Sequence, residues 1–102
     1  MQWVLVYPPE QRERGGRRIF AEIFPGVISR AEDGAPAPVP NTSVEPAALV
    51  IERPGEGLVI EPEQGGPLDG VEPGPHRSLK EVNAAVREYT GEMCQTLSSA
   101  TG

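Results

Sequence analysis

The chain has 102 residues and a formal net charge of -6, with 12 Gly, 12 Pro and a single Cys. A length of this order makes one domain with a thin core, one cysteine excludes an internal disulfide, and an acidic body is repelled by phosphate backbones except where a contact is local. The opening MQWVLVY has no basic segment and too short an apolar run for a secretory leader or a membrane span, so a cytoplasmic protein with no membrane association is expected.

Residues 2–7, QWVLVY, are β-branched and aromatic and stop at Pro8-Pro9, which reads as a strand. Gly15-Gly16 then provide a turn. In the following RRIFAEIF, Ile19, Ala21 and Ile23 share one face and Phe20, Glu22 and Phe24 the other, the pattern of a second strand closed by Pro25-Gly26. Val27 and Ile28 are able to prolong it past a bulge. The two strands flank PPEQRERGG, so the arginines fall at a hairpin tip.

Residues 31–46 hold four prolines and no hydrophobic period, which predicts a loop or an ordered extended segment. Residues 47–61 hold two β-rich runs around Arg53-Pro54-Gly55-Glu56-Gly57, a second hairpin whose strands are apolar on both faces. Residues 62–76 are a second Pro/Gly-rich loop. At Ser78 a helix begins: Ser78 and Glu81 form a capping box, and Leu79, Val82, Val86, Tyr89 and Met93 draw one apolar stripe. Gly91 costs this helix about 1 kcal/mol relative to Ala, but Met93 and Leu97 keep the stripe and predict that it continues to residue 97.

These elements predict a single α+β domain over residues 1–102: a small antiparallel sheet of about four strands in two hairpins, a C-terminal amphipathic helix across one face, and two Pro/Gly-rich loops. The helix covers one face at most. Each apolar side chain left in water on the other forgoes roughly 1.5–3 kcal/mol, so a homodimer or a hetero-complex is expected to close that face.

Few residues offer chemistry. Arg12, Arg14, Arg17 and Arg18 suit phosphate or a protein partner, because guanidinium forks match oxyanions and Gly15-Gly16 let a backbone approach. Equally, Glu10 and Glu13 can pair part of that charge at a solvated tip, and no aromatic residue interleaves the arginines as in nucleic-acid-binding loops. His76 stands near Asp69 and Ser78 only in sequence, which does not make a triad. Cys94 reads as core, Glu32-Asp33 and the Glu61/Glu63 pair as surface acids, and Asn41-Thr42-Ser43 as a chance glycosylation pattern. No ligand spacing for a metal and no phosphate loop occurs, so no cofactor is expected.

The segment FAEIFPGVISRAEDG with the later SLKEVNAAVREY looks like antitoxin domains of the HicB type over about a third of the chain, although the helix arrives much later here, and no residue role is carried across. The composite expectation is a non-enzymatic protein-binding module, an inhibitor, adaptor or assembly subunit whose partner is a protein; an acidic body suits a partner that itself binds nucleic acid. The alternative is a nucleic-acid-binding or antitoxin-like regulator using the Arg12–Arg18 loop.

Overall fold

The computed structural model describes residues 1–98. Its order is β1 (Gln2–Tyr7), β2 (Glu13–Arg14), β3 (Arg17–Arg30), β4 (Pro36–Pro40), β5 (Ala48–Arg53), β6 (Gly57–Pro62), α1 (Leu79–Thr90) and β7 (Cys94–Ser98). The class is α+β as expected, but the sheet has seven strands, in the order β6-β5-β3-β1-β7 with β2 and β4 also on β3, and it is mixed because β7 runs parallel to β1.

The expected closure of the second strand at Pro25-Gly26 does not occur. β3 runs through that pair, with β1 on one edge (Leu5 opposite Ile23, Trp3 opposite Pro25) and β5, then β4, on the other. Without a side chain, Gly26 lets the outer half of β3 and β4 fold closely over β1: a Cβ there would lie 2.3 Å from Val39 O and 2.9 Å from Val4 Cγ2. Residues 31–46 therefore contain an ordered extended segment. Asn41 N donates to Pro25 O (2.8 Å), so the odd-numbered residues of β4 face β3. Pro36, Pro38 and Pro40 turn their donor-less nitrogens to the outer edge, where another strand would otherwise add.

A register shift between Ile19 and Ala21 also breaks the expected alternation. Ala21 and Ile23 stay on the helix-covered face, whereas Ile19 joins Ile51 on the other, and Phe20 is the extra residue of the bulge.

The helix begins as its sequence requires. Ser78 Oγ accepts from Glu81 N at 3.3 Å, while Glu81 Oε1 accepts from Arg77 N at 2.9 Å, one residue before the cap. It does not continue to residue 97. Gly91 takes the left-handed conformation (φ 71°) and donates to Arg87 O at 2.7 Å, a C-terminal cap. The chain then turns into β7 with Cys94 beside Trp3. The effective apolar stripe is correspondingly shorter: Val82 and Val86 are fully buried against Trp3, Leu5, Ile23, Val50 and Ile60, while Tyr89 is 47% and Met93 45% exposed.

The second sheet face is closed by the same chain. Val4, Phe24, Ile19 and Ile51 are all buried. At one end β4 lies against β1 and β7; at the other the β1–β2 connection is held by Ile19 N donating to Arg12 O (2.8 Å) and Glu10 N donating to Glu22 Oε1 (3.1 Å). The stretch 62–76 is likewise committed. It plugs the core with Leu68 and Val71, and it lines the β6 edge through paired Leu58–His76 backbone bonds of 2.8 and 2.7 Å and Ile60 N to Pro73 O at 2.9 Å. The premise that a second copy must cover this face does not hold.

Candidate docking groove

The four arginines of the hairpin are not presented together. The short β2–β3 ladder opposes Glu13 to Arg18 and Arg14 to Arg17. Arg17 is then hydrogen-bonded to Glu61 of β6, and Arg18 Nη1 donates to Glu52 Oε1 of β5 at 3.2 Å. Arg12 and Arg18 border a hollow with Tyr7 and Phe20, whereas Arg14 borders a different one with Glu22 and Glu45. Strand alternation has split the cluster, so there is no single cradle of guanidinium groups for a phosphate.

Beside this tip lies an open groove of about 750 Å³. Tyr7, at the end of β1, and Phe20, in the bulge, meet there with ring centroids 4.8 Å apart and planes tilted by 35°. Leu58 and Leu79 add aliphatic surface, and Arg53, Glu56, Arg77 and Ser78 border it. A narrower hollow of about 510 Å³, bordered by Arg12 and Arg18, shares Tyr7, Phe20 and Glu52 with it.

The wall contributed by the helix start is fixed by backbone. Gly57 (φ 126°) allows a close pass, since a Cβ there would sit 2.6 Å from His76 O. The Leu58–His76 bridge then pins residue 76 to β6, which brings Arg77 and the N-terminus of α1 beside the β5–β6 turn. His76 Nε2 donates to Glu72 O at 2.9 Å, a structural bond that leaves this nitrogen unavailable as a base. The bulge, which sets Phe20 against Tyr7, and the His76 bridge have no signal in hydrophobic periodicity, which is why Tyr7, Phe20, Arg53 and Arg77 are not foreseen as one site.

The other candidates are placed elsewhere. Asp69 accepts from Gly65 N at 2.9 Å and Ser78 caps the helix. Cys94 is buried on β7, its thiol pushed up to about 12 by desolvation, with Sγ donating to Asn83 Oδ1 at 3.1 Å. Asp33 accepts from Ala35 N at 2.9 Å in the β3–β4 turn. Glu22, on the central strand, is 7% exposed. Burial raises its carboxyl above the ordinary value, the Glu10 N–H partly opposing this. Among the described residues no group of His, Cys, Asp and Glu is arranged to hold a metal, and no helix is long and apolar enough to cross a membrane.

Comparison with protein-family models, with curated proteins and with solved structures gives no match. The two segments that look like a HicB-type domain are separated in this fold by β4, β5 and β6.

Proposed function

We propose that the protein is a non-enzymatic docking module, an intracellular inhibitor, adaptor or assembly subunit that binds another protein through the groove of Tyr7, Phe20, Leu58 and Leu79. The observation that carries this reading is the half-buried Tyr7–Phe20 pair, its rings tilted by 35°, which lines the groove beside the helix start. Partly exposed aromatic surface among arginines has the composition of a binding hot spot. Dispersal of Arg12, Arg14, Arg17 and Arg18 over separate recesses, two of them paired to Glu52 and Glu61, counts against the alternative of a nucleic-acid contact at the loop.

Affinity capture from native extract tests the proposal, with the wild-type protein set against Leu79→Gln, whose fold is checked by its melting curve. A protein retained after nuclease treatment by the wild type and lost from the variant is expected. Retention of nucleic acid, or equal retention of the same proteins by both forms, refutes the groove.

A further inference from the structure

We infer that the occupant of this groove is an acidic peptide segment of the partner, with one aromatic or aliphatic side chain flanked by carboxylates; this rests on the docking reading above. The floor of Tyr7, Phe20 and Leu58 is apolar and takes an apolar side chain. The charge balance of its border selects what lies next to that side chain. Glu52 is already engaged by Arg18 at 3.2 Å and Glu81 by the backbone N–H of Arg77 at 2.9 Å, which leaves Glu56 as the uncommitted carboxylate bordering the groove with Arg53 and Arg77. Neither of those arginines makes an ion pair within 4 Å among the described residues. They enter from two different walls, Arg53 from the β5–β6 turn and Arg77 from the residue before the cap of α1, so carboxylates on either side of an anchored side chain each meet a guanidinium. The N-terminal end of α1 adds positive potential to the same wall, offset in part by Glu81 in its first turn.

The net charge of -6 acts in the opposite sense at long range. Recognition of an acidic segment must therefore arise at contact, inside a Debye length of about 8 Å, and the overall field by itself favours a basic peptide. A basic and an acidic peptide thus separate the two effects.

The probes are blocked pentapeptides with a central Phe flanked by Asp and Glu, the same with Lys and Arg as flanks, and the acidic peptide with Ala at its centre. Each is titrated into the ¹⁵N-labelled full chain, and the amide resonances of Arg53, Arg77, Ser78 and Leu79 are followed. The expected result is saturable shifts at these amides with the acidic Phe peptide, weakened about tenfold or more with the Ala or the basic peptide. Arg53→Glu with Arg77→Glu, both at exposed positions, is expected to remove acidic-peptide binding by a similar factor, and Arg53→Gln with Arg77→Gln to fall between. Tighter binding of the basic peptide, indifference to charge reversal, or an oligothymidine that outcompetes the acidic peptide overturns the inference. If charge reversal has no effect while Leu79→Gln still abolishes partner capture, the docking reading stands and only the acidic occupant falls.

Discussion

Glu22 is a carboxylate in the middle of the central strand, and replacing it with Gln is expected to stabilise the protein at neutral pH. The residue is 7% exposed, shares its sheet face with Phe24 and Val4, and has Glu10 and Glu45 near it besides Arg14. Desolvation is the largest influence on it and raises its carboxyl above 4.5, with the Glu10 N–H as the main opposing effect. A carboxyl whose folded value is raised binds its proton more tightly in the folded chain. Its contribution to stability is then fully present below the unfolded value and is lost as pH rises through the folded value. Gln keeps an oxygen for the Glu10 N–H and carries no charge, so it removes the desolvation cost while sparing the 3.1 Å bond. Mutational costs of burying an uncompensated polar group suggest a gain on the order of 1 kcal/mol at pH 7. In a domain of this length that corresponds to a rise of roughly 4–8 °C in melting temperature. Thermal melts of both forms at pH 7 and about pH 3.5, below the ordinary Glu value, check it. The gain is present at pH 7 and absent at low pH. A Gln variant that is less stable at pH 7, or equally more stable at both, refutes the reasoning.

Other substitutions read the fold directly. Gly26→Ala places a Cβ against Val39 O and Val4 Cγ2, and since backbone cannot move aside cheaply, a loss of about 1–3 kcal/mol in urea unfolding is expected. Gly91→Ala forces a side chain into the left-handed cap (φ 71°), with an expected loss of about 1 kcal/mol and no lengthening of the helix by circular dichroism. Cys94, buried with its thiol pushed up to about 12, is expected to resist a disulfide reagent at pH 8 in the native protein and to react on unfolding.

What was legible in the sequence was local. The limits of β1, the β5–β6 hairpin and the start of α1 follow from Pro8, Pro54-Gly55 and the Ser78/Glu81 pair, whose chemistry acts within a few residues. The end of the helix was not, because Met93 and Leu97 mimic its period. Only the left-handed Gly91, with the pairing of Cys94 beside Trp3, shows that these residues are past its end. Prolines at 36, 38 and 40 suit an edge strand once a partner strand exists to use the alternate N–H groups, and β3 is that partner. The site was least legible. Arg12, Arg14, Arg17 and Arg18 lie at the tip as expected, but the groove, bordered instead by Arg53 and Arg77, depends on a bulge and on the Leu58–His76 bridge, both set by contacts distant in sequence.

Closure of the second face changes the expectation for self-association. The argument for a second copy needed apolar strand surface left in water, and Val4, Phe24, Ile19 and Ile51 are instead buried by their own chain. What remains exposed on the strands is the cross-strand pair Val27 and Val39, on the outer side of the β3–β4 arm at 60% and 57%. A symmetric contact would bury this pair from both copies, four side chains already partly covered and worth less than about 1.5–3 kcal/mol each, a total that does no more than offset the roughly 4–15 kcal/mol cost of association. The β4 edge beside this pair has prolines where donors for an added strand would be needed. Self-pairing through the arm therefore has little surplus to hold it, and the hetero-complex proposed at the groove does not depend on it. Sedimentation equilibrium over a hundredfold range of micromolar concentration is expected to return the mass of one chain. A concentration-dependent dimer that disappears in Val27→Thr with Val39→Thr would overturn this and make the arm, not the groove, the primary interface.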